Sequence, residues 1–211
     1  LGSTRSSRVP IRANLTASVR FGEENLLALR CAWPSAGPAL DGCFDFITPF
    51  SGPYRSVRVE SVAPVHIREL YVQTVSIDPP AVVVEILCAG ALPPAARIAL
   101  EIRDARGCTC WATEQAANGL AAGGLQRLAL ALPEAALWSP ASPALYEAWI
   151  TLKQGGRAID AAATRFGLRE LRRRGDRILL NGTPIYLRGA CDDHDYPETI
   201  CPPASTDFFR D

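Results

Sequence analysis

The sequence predicts an antiparallel β-sandwich, and three observations carry that reading. Apolar and polar residues alternate at period two in several short runs, which marks strands with one buried face. Turn-forming residues separate those runs. Between Pro64 and Gly167 there are enough such runs for one immunoglobulin-like sandwich of about 100 residues.

The elements can be taken in chain order. Val57 and Val59 alternate with Arg58 and Glu60. His66, in PVHIREL, sits on a strand entering the sandwich, where its ring is expected to be satisfied by neighbours and not to ligate anything. From Arg97 to Arg103, Ile98, Leu100 and Ile102 point one way while Arg97, Glu101 and Arg103 point the other. In Gln126 to Leu132 the apolar set is Leu128, Leu130 and Leu132.

Turns are expected at Asp78-Pro79-Pro80, Pro93-Pro94, Asp104 to Gly107, Gly123-Gly124 and Gln154-Gly155-Gly156, with Ala116 to Ala122 as a loop around Asn118-Gly119. Trp138, Pro140, Pro143 and Tyr146 are expected to cover one end of the sandwich. Arg172 to Arg174 reads as a solvated turn between domains. Asn181-Gly182, between Ile178-Leu179-Leu180 and Ile185-Tyr186-Leu187, is a hairpin signal because both residues tolerate positive φ; Thr183 and Pro184 are expected to lengthen the turn. The second of those runs reads as a buried strand. It leads through Arg188-Gly189 to a loop of ionisable groups, Asp192, Asp193, His194 and Asp195, and Ser205 is a candidate N-cap for a helix reaching Asp211.

Composition narrows the function classes. Twenty-two basic residues balance twenty-two acidic ones, so no overall field recruits nucleic acid or an anionic membrane. Lys153 is the only lysine. No stretch approaches the roughly 20 apolar residues of a membrane helix. The N-terminus, LGSTRSSRVP, has no apolar signal region and no Met, which reads as an internal segment. Seven cysteines, an odd number, argue against a closed disulfide framework, and Cys108 and Cys110 lack the two-residue spacing of zinc knuckles and thioredoxin-like sites. Free thiols lean toward a cytoplasmic setting but leave the compartment open. Asn14-Leu15-Thr16 and Asn181-Gly182-Thr183 fit the glycosylation sequon, which matters only in a secreted eukaryotic protein.

Four ordered segments carry a resemblance. GEENLLALRCAW, SGPYRSVRVESVAPVHIRELYVQT (Ser51 to Thr74), LWSPASPALYEAWITL (Leu137 to Leu152) and FGLRELRRRGDRILLNGTPIYLRGACDDHDYP from Phe166 are similar, in this order, to segments of the family 2 glycoside hydrolases. That family includes β-galactosidases, β-glucuronidases and β-mannosidases. The resemblance implies that residues 1–63 are the C-terminal part of a jelly-roll, sugar-binding β-sandwich, with Gly22 to Trp33 as one of its strands, and 64–167 an immunoglobulin-like sandwich. Residues 168–211 would be a linker and the first strand of a truncated (β/α)8 barrel, with Arg55 bracing an interdomain contact.

Retaining glycoside hydrolysis uses an acid and a nucleophilic carboxylate about 5 to 5.5 Å apart. By resemblance, both family glutamates lie beyond Asp211, so no catalytic residue is expected here and the 211 residues alone are expected not to hydrolyse a glycoside. The expected partner is a carbohydrate substrate reached through the barrel, with no nucleic acid, membrane, cofactor or metal; oligomeric state stays open. Asp193, His194 and Asp195 are the candidates for sugar contact. In the β-galactosidase branch the matching loop reads GVNRHEHHP, whereas Gly189 to Pro197 reads GACDDHDYP. Two carboxylates there accept hydrogen bonds, so that branch's specificity does not carry over. The competing reading is a free-standing β-sandwich module that binds carbohydrate or protein. The buried-strand pattern and ionisable loop after Arg177 speak for the first reading.

Overall fold

The computed structural model of the chain describes residues 10–31, 53, 56–117, 124–189, 205 and 207. It divides into two compact units, 1–59 together with 189–211, and 60–188.

The second unit contains the sandwich. Among the described residues seven strands build it: β1 (His66–Ile77), β2 (Pro80–Ala89), β3 (Arg97–Arg103), β4 (Thr109–Ala116), β5 (Leu125–Ala131), β6 (Tyr146–Gln154) and β7 (Arg157–Phe166). One sheet has the order β1-β2-β5 and the other β4-β3-β6-β7, and every pairing is antiparallel. In the constant-type immunoglobulin arrangement the fourth strand joins the first sheet. Here β4 pairs with β3 in the second.

The expected alternation is what fills the core. Ile98, Leu100 and Ile102 of β3 are buried, as are Leu128, Leu130 and Leu132 on and just after β5. They meet Val82, Val84, Ile86 and Cys88 of β2 and Ala148, Ile150 and Leu152 of β6. Each buried Val, Leu or Ile here contributes about 1.5–3 kcal/mol relative to exposure, which makes this layer the main support of the fold.

Polar groups then tie the layers at their edges. Asp160 of β7 accepts a hydrogen bond at 2.7 Å from the Ile67 N–H of β1, joining an edge strand of one sheet to an edge strand of the other. The Nδ1–H of His66 donates to the Ala63 carbonyl at 2.8 Å, so this histidine is satisfied locally, as its strand position suggests. Gly90 closes the chain beyond β2 with φ +83, and a Cβ there would stand 2.2 Å from the Pro64 carbonyl oxygen. Only glycine fits.

After the sandwich come β8 (Leu171–Arg174), β9 (Arg177–Leu180) and β10 (Thr183–Ile185), a separate sheet of order β10-β9-β8. This corrects three expectations. Arg172 to Arg174 form a strand, and the turn is Gly175-Asp176, where Gly175 supplies φ +62. Thr183 pairs directly with Leu180, so Asn181 (φ 49) and Gly182 (φ 78) alone make the turn, as a two-residue loop with both φ positive requires. The run Ile185 to Leu187 does not form one buried strand. Ile185 pairs with Ile178, but β9 begins at Arg177 and leaves little edge to pair with, and Tyr186 is 87% exposed. Pro184 is tolerated because β10 is an edge strand.

In the first unit, Gly22–Cys31 forms no strand, against expectation, and Leu26 is 96% exposed. The Asn25 side chain accepts from the Arg20 N–H at 2.9 Å and donates to the carbonyls of Arg20 and Glu23 at 2.8 and 2.9 Å. This local turn occupies backbone groups that a ladder would otherwise use. Residues 56–59 likewise form no strand: Val57 and Val59 are 56% and 69% exposed, so the alternation there buries no face. The Asn118-Gly119 loop, Arg55, Cys43, Cys191 and Cys201 lie outside the described residues; Cys31, Cys88, Cys108 and Cys110 are free thiols.

Candidate functional site

The sequence places its candidate sugar contacts at Asp193, His194 and Asp195, which lie outside the described residues together with Asp192. Ser205 Oγ does accept from the Asp207 N–H at 3.1 Å, the bond expected of an N-cap. Among the described residues, no group of three or more His, Cys, Asp or Glu side chains stands together as a metal site.

The site the structure does build is the junction where the sandwich hands over to the β8–β10 meander. The loop Leu137 to Leu145 is closed locally first. Ser139 and Ser142 exchange backbone hydrogen bonds at 3.0 and 3.1 Å, and the Ser139 hydroxyl accepts a third from the Ser142 N–H at 3.0 Å. Tyr146, the first residue of β6, accepts at its hydroxyl from the Ala136 N–H at 2.9 Å while its ring lies 5.8 Å from that of Phe166. A tyrosine that bonds back to upstream backbone in this way pins the corner of an immunoglobulin-like sandwich.

Trp138 is then fixed by the segment just after β7. Its N–H donates to the Leu168 carbonyl at 2.7 Å, and Leu137 forms an isolated parallel bridge with Leu168. Its side chain lies against Gly167 so closely that a Cβ at Gly167 would stand 2.9 Å from the Trp138 Cβ. The Arg169 guanidinium covers the Trp138 ring at 4.7 Å, and the Arg169 N–H reaches Thr74 Oγ1 of β1 at 3.3 Å.

Asn181 completes the junction. Its Oδ1 accepts from the Glu170 N–H at 2.9 Å, its Nδ2 donates to the Trp138 carbonyl at 3.0 Å, and its own N–H donates to the Glu170 carbonyl at 2.9 Å. Leu180 beside it is buried. The residue that shapes the hairpin turn therefore also fastens the hairpin to the sandwich. Sequence reasoning found Asn181 as a turn residue and Trp138 as an end cover but missed the bond between them, because a partner so distant leaves no local pattern.

Chemically, the junction is a network of backbone and amide hydrogen bonds with one stacked guanidinium. It contributes one carboxylate, Glu170, which is ion-paired to Arg172 at 2.7 Å, whereas glycoside hydrolysis of the retaining kind calls for two. Elsewhere in the sandwich, burial, and after it the charge of Asp160, push the Cys88 thiol up, and burial does the same for Cys110. Hydrogen bonds from Lys153 and then Arg97 hold the Glu114 carboxyl below the usual carboxylate range.

Fold and junction together define a β-sandwich domain with a built-in exit arm. Residues 65–169 match the profile described as Glycosyl hydrolases family 2, and the chain belongs to that family through this domain. Two solved glycosyl hydrolase family 2 members from Bacteroides cellulosilyticus resemble it. One matches at 24% identity and TM-score 0.55 over 64% of this chain and 18% of that one. The other, from strain DSM 14838, matches at 25% and 0.54 over 64% and 20%. A β-glucuronidase of Parabacteroides merdae is similar in fold, at 20% identity and TM-score 0.51 over 60% of this chain and 16% of that one. The chain spans about a fifth of the length of the solved chains it matches first.

Proposed function

We propose that the chain is the noncatalytic front portion of a retaining family 2 glycoside hydrolase that cleaves O-glycosidic bonds, with its sandwich acting as scaffold for a catalytic barrel. On this reading residues 1–63 end a sugar-binding sandwich, 64–167 are the immunoglobulin-like domain, and 168–211 lead into the barrel. The Asn181–Trp138 bond carries the proposal: a module serving only its own binding face has no need to fasten an exit hairpin to its end. The family profile over residues 65–169 supports the class of chemistry. The loop with Asp193, His194 and Asp195 then offers acceptors for sugar hydroxyls at the pocket rim.

The test compares the 211-residue chain with the product of its full open reading frame on aryl glycosides of different sugars. The long product should hydrolyse at least one with retention at the anomeric carbon, and the 211 residues should hydrolyse none. Hydrolysis by the 211 residues alone, or glycan binding without hydrolysis by the long product, would overturn the reading.

A further inference from the structure

The junction holds out a hairpin whose charge the scaffold does not use. Arg172, Arg173 and Arg174 occupy β8 and Arg177 opens β9, all exposed. Strand alternation and the register Arg172↔Leu179 and Arg174↔Arg177 put Arg172, Arg174 and Arg177 on one face. Arg174 and Arg177 stand directly opposite each other, which places their Cβ atoms about 4.5–5.5 Å apart, and like charges so placed repel. Arg172 has an ion-pair partner in Glu170 at 2.7 Å, and Arg173 Nε donates to the Gly175 carbonyl at 2.9 Å. Arg174 and Arg177 have no ion-pair partner among the described residues. In a chain of net charge zero, this is a local concentration of guanidinium groups, with Asp176 in the connecting turn as the one carboxylate between Arg174 and Arg177.

We propose that this arginine hairpin docks an anionic polysaccharide whose sugars carry carboxylates, with Arg174 and Arg177 clamping one carboxylate between them. The guanidinium fork matches a carboxylate in two parallel hydrogen bonds, and an anion between the two arginines turns their repulsion into attraction. The same face already holds one carboxylate, that of Glu170 on Arg172. Nucleic acid is the poorer occupant, because it is held by many phosphate contacts and a long-range positive field, and this neutral chain offers three guanidinium groups on one small face. That the anion belongs to a glycan rests on the glycosidase reading above.

Affinity electrophoresis of the 211-residue chain tests this, in gels containing polygalacturonate, neutral dextran or double-stranded DNA. Polygalacturonate should retard the chain, dextran should not, and DNA should retard it less. The double variant R174Q/R177Q should bind polygalacturonate roughly fivefold more weakly, the loss of two exposed ion pairs. R106Q/R157Q, which removes equal charge elsewhere, should match the parent. Equal retardation of R174Q/R177Q and the parent, or DNA retardation as strong as that by polygalacturonate, would overturn the proposal. Failure of hydrolysis by the full-length product would instead strike the glycosidase reading and leave the binding result standing.

Discussion

Asn181 Nδ2 donates to the Trp138 carbonyl at 3.0 Å across 43 positions of sequence, while Asn181 Oδ1 takes the Glu170 N–H. A half-buried side chain amide thus satisfies two backbone groups that belong to different segments. Replacing Asn181 by Ala leaves both without that partner and puts a Cβ-bearing residue without a polar side chain at φ 49. The expected loss is about 2–4 kcal/mol, since a buried unsatisfied group costs about 1–3 kcal/mol and these two, being partly buried, fall in the lower part of that range. Asn181→Gly keeps the turn and should lose less than Asn181→Ala. Urea unfolding of the 211-residue chain measures both, and equal stability of Asn181→Ala and the parent would dismiss the junction as a stabilising device.

Gly167→Ala is expected to push a methyl group into Trp138, costing about 1–3 kcal/mol as other overpacked sites do. Combining it with Trp138→Gly, which removes the Cβ that the methyl group meets as well as the ring, should relieve that clash, so the double variant should be more stable than the sum of the two single losses predicts. Additive losses would mean that the two residues do not meet.

Asp160→Ala should cost about 1–3 kcal/mol by leaving the Ile67 N–H unpaired between the two sheets. Asp160→Asn keeps an acceptor oxygen and should recover part of it. Thermal melts of the three proteins at one pH decide the matter; indistinguishable melts would rule out the bridge.

Glu114 gives a prediction in pH. Its carboxyl is held low, first by the hydrogen bond from Lys153 and then by that from Arg97. A carboxyl with a depressed folded pKa contributes stability that is present above its unfolded value, about 4.3, and is lost as pH falls through the folded one. Between about pH 5 and pH 3, the melting temperature of the parent should therefore fall more steeply than that of Glu114→Gln. Parallel curves would show that the Lys153–Glu114–Arg97 cluster contributes nothing.

How much of this was legible in the sequence depends on the range of the interaction. Ile98, Leu100 and Ile102 declare a buried face through alternation alone, because a strand's side chains must divide between two faces, and all three are in the core. The Asn181-Gly182 turn was legible for the same local reason. At Val57 and Val59 the local pattern failed, since alternation names a face but cannot supply the neighbouring strand that makes one; at Gly22–Cys31 the strand was implied by family resemblance, and the turn held by Asn25 stands there instead. In sequence Arg172 to Arg174 look like a turn, because charge and exposure are alike in turns and in an exposed strand. The stacking of Arg169 on Trp138 and the bond from Asn181 join distant segments, and no periodicity announces them. The loop from Asp192 to Asp195 was readable only through family resemblance, and it lies outside the described residues.

A hairpin hanging free of the sandwich beyond Gly175 would exchange its amides fast, whereas the structure fastens it to the sandwich through Asn181. Amide hydrogen exchange on the 211-residue chain separates the two. The Asn181 N–H, bonded to the Glu170 carbonyl, and the Trp138 N–H, bonded to the Leu168 carbonyl, should both be slowed at least about a thousandfold, the counterpart of about 4 kcal/mol of opening free energy, while exposed Tyr186 exchanges fast. Exchange of Asn181 as fast as that of Tyr186, with Trp138 still protected, would contradict the account.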